Sequence, residues 1–342
     1  MKQNTVQSAR NALFAVLLFG LVSTAYGTIR HVAGNGVDGA ACGATATPCR
    51  SISRGILNAV AGDTVLVGPG RYGDLNNNGT LGDPGEETSS PGCDCMLAVK
   101  KSVILISSDG AAATLIDANN LVIGKAVLIM ASDVEFGRPE HGFLVTNPAA
   151  SGKGIVIDGT DVKVRGNQVL RTEPAGHGVG IEAVDNPAEI VLIEQNQVVG
   201  WNRGIEATDS GKKISRNQVS LNTIGIKVED GSVVGNVATV NGDGILVSGA
   251  ASVVGNAAYG NRFGFNAVSP FTGVIMRINM FANDCGLRNS GVTGLVAANN
   301  YWGAVTGPGV DPADFVCTQN NGTTTTTPFA TSRFAVNPSF EP

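Results

Sequence analysis

The stretch Ile214-Ser-Arg-Asn217-Gln-Val-Ser-Leu-Asn222-Thr-Ile-Gly225-Ile226 decides the fold, because the chain repeats its pattern twice more. Val233-Val-Gly-Asn236-Val-Ala-Thr-Val-Asn241-Gly-Asp-Gly244-Ile245 follows, and then Val253-Val-Gly-Asn256-Ala-Ala-Tyr-Gly-Asn261-Arg-Phe-Gly264-Phe265. Working outward, a glycine followed by a bulky apolar residue recurs at Gly154, Gly180, Gly204, Gly225, Gly244 and Gly264. One asparagine series accompanies it at Asn167, Asn196, Asn217, Asn236, Asn256, Asn279 and Asn299, and a looser one at Asn202, Asn222, Asn241 and Asn261.

A period near twenty residues with drifting length describes stacked coils that bury their apolar residues against one another. Short runs of alternating apolar residues make each coil two or three strands. Asparagine at a fixed place in each coil suits a sharp turn, since it tolerates the left-handed backbone. Its amide can also hydrogen-bond along the stack as a ladder. These asparagines therefore read as structural.

The ends depart from the repeat, as capping requires. Ser51 to Ala61 reads as a short amphipathic helix with Ile52, Ile56, Leu57 and Val60 on one face. Gly62-Asp63 stops it, and Thr64 to Val67 reads as a strand. Further strands are expected at Ser102–Ile106, Ala126–Met130 and Val134–Phe136. Residues 1–27 read as an export leader: Lys2 and Arg10, an apolar run to Val22, then Ala25-Tyr26-Gly27. That run is too short to span a bilayer, and no later segment could cross as a helix. The organisation expected is a leader at 1–27, the repeat domain with its cap at 28–316, and an irregular tail at 317–342. The product should be secreted or periplasmic, and monomeric.

Composition agrees. Among 342 residues, 46 are glycine, and charged residues make 15%, against about 25% in soluble domains. That suits short strands and tight turns rather than a helical enzyme. A hydrophobic content of 43% excludes a disordered chain. The formal charge is −5 and becomes more negative once Lys2 and Arg10 leave with the leader, which argues against nucleic acid as a partner. Six cysteines behind an export signal point to disulfides. Spacing suggests Cys42 with Cys49 and Cys285 with Cys317, leaving Cys93 and Cys95. Those two would close a small ring, so exchange of partners with Cys42 and Cys49 is the alternative.

His31-Val-Ala-Gly-Asn-Gly36, Pro48-Cys-Arg-Ser-Ile52 and Ala61-Gly-Asp-Thr-Val-Leu-Val-Gly-Pro-Gly-Arg-Tyr72 resemble the opening of pectate-lyase-like proteins. Asn299-Asn-Tyr-Trp-Gly303 with Thr306-Gly-Pro-Gly309 resembles their closing segment. The resemblance spans essentially the whole mature chain. It implies an all-β, single-stranded right-handed parallel β-helix. This architecture hosts lyases, hydrolases, epimerases, adhesins and maturation factors. The Trp-Ile-Asp-His and Arg-x-Pro-x-x-Arg motifs of pectate lyases are absent, so no lyase residue carries over. The expected task is to bind or modify a polysaccharide or cell-envelope glycan. The alternative is a non-enzymatic surface, structural or adhesion module.

Two clusters could carry chemistry. Asp74, Asn76, Asn78 and Thr80 alternate around Gly79 and lead to Asp83 and Glu86. Oxygen side chains at positions 1, 3 and 5 with glycine at 6 match a calcium loop. Position 12 is Gly85, and the acid arrives one place later. A calcium ion there would be structural rather than catalytic. The second cluster follows from stacking, since the residue after each Gly-Ile pair points outward. Glu182 and Glu206 should then neighbour one another, with Lys227 beside Glu206. Two carboxylates on adjacent rungs could serve as acid and nucleophile or base, or hold calcium against an acidic sugar, with Lys227 as compensator. His31 and His141 read as surface or turn residues, and no Met/His cluster supports copper.

Overall fold

The computed structural model describes residues 27–88, 90–118, 124–147, 151–171, 177–183 and 190–336. The expected leader, Gly27 apart, lies outside these residues. Three parallel sheets form the body. The first has ten strands, from Ile29–Val32 to Val274–Met276. The second has nine, from Gly70–Tyr72 to Asn279–Phe281. The third has ten, from Cys95–Val99 to Val316–Gln319. The chain visits first, second and third sheet in turn, coil after coil, which is the right-handed parallel β-helix expected.

The repeated Gly-Ile pairs form the core of the third sheet. Ile155, Ile181, Ile205, Ile226, Ile245, Phe265 and Leu287 align in register on successive strands, all fully buried. The preceding glycines are required by close approach. A Cβ on Gly180, Gly204, Gly225 or Gly244 would lie 2.5–2.6 Å from the carbonyl oxygen of the next glycine in the stack. Rungs can pack at strand spacing there because those positions carry no side chain.

Both asparagine ladders exist, with corrections. In the first, Asn167, Asn196, Asn217, Asn236 and Asn256 are buried. The Nδ2 of each of the first four donates to the Oδ1 of the next at 3.0–3.1 Å. That same Oδ1 accepts the preceding asparagine's backbone N–H. The next places belong to Ile278 and Asn300, whose Oδ1 accepts the Ile278 N–H, rather than to Asn279 and Asn299. In the second ladder Trp201 takes the place expected for Asn202, and Asn222, Asn241, Asn261, Asn283 and Asp314 continue it. The left-handed backbone falls one residue before the ladder position, at Gln195, Arg216, Arg277 and Asn299 for example.

The cap is α1 (Ile52–Asn58), with Ser51 Oγ accepting the Arg54 N–H as N-cap. Its buried face is Ile52, Gly55 and Ile56, while Leu57 and Val60 are exposed, contrary to the expected face. A Cβ on Gly55 would meet Val32 at 2.6 Å, so the helix turns glycine onto the sheet. The expected strand Thr64–Val67 forms as such. The segment expected to be irregular carries Val316–Gln319, which joins the third sheet, and Thr324–Thr325, which pairs with Leu295–Val296. Three disulfides join Cys42 to Cys49, Cys93 to Cys95 and Cys285 to Cys317, so the exchanged pairing is not adopted. No helix among the described residues is long and apolar enough to cross a membrane.

Candidate functional site on the third sheet

Glu182 and Glu206 occupy the same outward position on adjacent strands and are direct register partners. Lys227 is the partner of Glu206 on the next strand. The sequence placed these three correctly relative to one another. It did not foresee their burial. Glu182 and Glu206 are 6% and 5% exposed, far from a solvated face.

Burial is compensated by cations. Lys153 Nζ lies 2.5 Å from Glu182 Oε1. Arg203 Nη1 lies 2.5 Å from Glu206 Oε2, and Lys227 Nζ lies 2.9 Å from Glu206 Oε1. Burial alone would push the Glu206 carboxyl up. Hydrogen bonds and charge from Lys227 and Arg203 outweigh it and hold the group below its ordinary value. Glu206 is therefore ionised at neutral pH and has no proton to donate as a general acid.

Toward the C-terminal rungs the surface changes character. Asn266 Nδ2 donates to Asp243 Oδ2 at 2.8 Å, and Ser290 Oγ donates to Asn266 Oδ1 at 2.9 Å. Arg262 and Arg288 lie over the Phe263 ring, 5.0 and 4.6 Å from its centroid. That ring is thereby engaged by cations. Trp201, near the site in sequence, is fully buried, with Nε1 donating to the Val169 carbonyl at 3.1 Å. It belongs to the wall, not to the site.

The remaining sequence candidates lie elsewhere. Asp74, Asn76, Asn78, Thr80, Asp83 and Glu86 form an excursion between the second and third sheets of the first coil. His31 Nε2 pairs with Thr45 Oγ1, and His141 Nδ1 with the Ser107 carbonyl, both at 3.0 Å. Asp38 lies beside Cys42 and Cys49. Those sulfurs are joined to each other, so no thiolate is offered to a metal. A shallow groove of about 560 Å³ runs over the first sheet, past Glu135, Lys163, Leu192 and Lys213. Next to it Glu135 binds Arg138 and Arg165, and Glu194 binds Arg165 and Arg216. The two glutamates there are thus held by arginines.

No protein-family model matches the chain. No curated protein matches it either. Among solved structures, the pectate lyase Pel9A is similar at TM-score 0.55 and 13% identity, over 89% of this chain and 78% of that one. At that identity the likeness is one of architecture, and by architecture the chain is a pectate-lyase-like right-handed parallel β-helix.

Proposed function

We propose that the chain is an extracytoplasmic β-helix that binds an acidic polysaccharide along the third sheet, at Lys153, Arg203 and Lys227. One observation carries this reading. The side chains of these cations keep 33%, 38% and 31% of their surface exposed, while those of Glu182 and Glu206 keep 8% and 7%. An arriving ligand therefore meets cations first. The carboxylates act from beneath, fixing long flexible side chains in place and reducing the entropy lost on binding. Three cations over two carboxylates leave a positive patch on an acidic chain. Lys153 and Arg203 stand in one row two strands apart, with Val179 between them, and Lys227 lies on the strand after Arg203. At roughly 4.8 Å per strand the three cations extend along the stack, as a polymer with spaced carboxylates requires.

The same pairing argues for binding over turnover. Glu206, held ionised by Lys227 and Arg203, offers no proton for general-acid chemistry. Three disulfides and the leader-like start support placement outside the cytoplasm.

The test is titration of the mature protein with polygalacturonate, alginate and a neutral dextran, with calcium and with chelator. Double-bond absorbance and reducing ends are followed in parallel. Salt-sensitive binding to the two acidic polymers, absent with dextran, is expected. Equal affinity for all three, or for none, overturns the proposal.

A further inference from the structure

The excursion from Asp74 to Glu86 plays no part in the third-sheet site. Its backbone is shaped by its own oxygens. Asp74, 1% exposed, accepts the Asn78 N–H on Oδ1 at 2.9 Å and the Gly79 N–H on Oδ2 at 3.2 Å. Asn76 Oδ1 accepts the Asn78 N–H at 2.9 Å, and Asn78 Oδ1 accepts the Thr80 N–H at 2.7 Å. Gly79 makes the turn at φ +84°. Both amide nitrogens of Asn76 and Asn78 donate to Asp83 Oδ2, at 3.1 and 2.7 Å, which draws that carboxylate over the loop.

These contacts alone describe a well-folded turn. Glu86 adds a separate observation. Its side chain is fully buried. Its Oε1 accepts the backbone N–H of Asn76 at 2.9 Å, so the carboxylate is turned onto the loop. Its Oε2 is buried and has no hydrogen-bond partner. The nearest guanidinium nitrogen, Arg50 Nη2, is 4.0 Å from Oε1. A buried carboxylate oxygen left unpaired is costly, and a cation is the partner that removes that cost.

We infer that this loop holds one calcium ion, with Glu86 supplying the acidic ligand that Gly85 at the twelfth position cannot. The donor set is all oxygen: Asp74, Asp83 and Glu86 carboxylates, Asn76 and Asn78 amides, and the Thr80 carbonyl. Such hard donors suit calcium and not zinc or copper. Arg71 binds Asp74 at 2.8 Å and Asp117 at 2.6 Å, and offsets part of the negative charge without reaching Glu86 Oε2. The ion would also tie the loop to the cap. The next residue, Glu87, accepts the Ser53 N–H and Oγ–H at 2.8 and 2.6 Å, on the first turn of α1.

The experiment is thermal melting and calorimetric titration of the mature protein in chelator, in calcium and in magnesium. A saturable rise in melting temperature with calcium is expected, with a weaker response to magnesium. Glu86→Gln and Asn78→Ala should each weaken calcium affinity at least tenfold. Asn78→Ala, at an exposed position, should still melt cooperatively in chelator with the parent's circular dichroism, which separates loss of ligand from loss of fold. Identical melting in calcium and chelator with no heat of binding overturns the inference. So does a calcium response that both variants retain in full. Neither outcome touches the polysaccharide reading, which is measured with and without calcium.

Discussion

Glu182 and Glu206 are opposite each other on adjacent rungs, yet each is neutralised from a different direction. Glu182 takes its cation from the rung before, Lys153, and Glu206 takes one from the rung after, Lys227, with Arg203 on its own strand. Two buried carboxylates at strand spacing would otherwise repel. The cations resolve that repulsion by flanking the pair, and in doing so they become the accessible chemistry of the face.

The first prediction concerns the fold's dependence on Glu206. Removing its charge leaves Arg203 and Lys227 facing each other without a counterion. Glu206→Gln should cost about 2 kcal/mol in denaturant unfolding, below the loss typical of fully buried pairs because both cations are partly exposed. The carboxyl is held below its ordinary value, so its contribution is present above the usual carboxylate range and lost as pH falls through the lowered value. Parent and variant should therefore converge in stability toward strongly acidic pH. A constant gap down to the lowest pH would contradict the ion-pair account.

A second carboxylate should behave in the opposite sense. Glu87 is 1% exposed, and burial, reinforced by the Asp38 charge, pushes its carboxyl up to about 7 against the hydrogen bonds from Ser53 and the Ile52 backbone. A raised value means the favourable, protonated state is fully present below the ordinary carboxylate pKa and is lost as pH rises through about 7. Glu87→Gln should match the parent at pH 4. It should gain stability on it by up to a few kcal/mol above pH 8. The check is melting temperature against pH for both proteins. A variant weaker at pH 8 would show that the ionised carboxylate supports the helix.

The asparagine ladders give a paired test. Asn217 donates to Asn236 and to the Ile193 carbonyl, and accepts from the Asn196 amide and backbone, all in the buried wall. Asn217→Ala strands several buried groups and should cost about 2–4 kcal/mol. Asn202, beside the second ladder but not in it, should cost under about 1 kcal/mol as Asn202→Ala. Similar losses at the two sites would contradict the register described here.

Much of the fold was legible because its determinants repeat. Glycines that must admit a neighbouring carbonyl recur at Gly180, Gly204, Gly225 and Gly244, and asparagines that must hydrogen-bond along the axis recur from Asn167 to Asn256. What escaped was register at the irregular coils. Asn279 and Asn299 look like continuations of the series, but the left-handed residue that precedes each ladder position is Arg277 in one coil and Asn299 in the next, which puts Ile278 and Asn300 on the ladder. Trp201 fills the place expected for Asn202, with its ring against Gly180, where a Cβ would lie 3.1 Å from Trp201 Cδ1. At the site, Glu182, Glu206 and Lys227 were visible as the residue after each Gly-Ile or its equivalent. Lys153 was not. It stands opposite Val179 in register and reaches Glu182 diagonally, a contact no linear spacing encodes. Glu86, named from the sequence although it lies one place past the twelfth position, reaches the loop because the chain folds back to bring it to Asn76.

The binding claim is tested most directly by affinity electrophoresis through gels containing polygalacturonate, comparing the parent with Lys153→Gln and Lys227→Gln. Both variants remove one cation while leaving the sheet in place, and circular dichroism would confirm that. The parent should be retarded in proportion to polymer content, and each variant should lose at least about threefold in affinity, roughly 0.65 kcal/mol at RT near 0.59. Added salt should weaken the parent more steeply than either variant. Full retardation of both variants, or retardation of the parent that ignores salt, would contradict a binding site built on these cations.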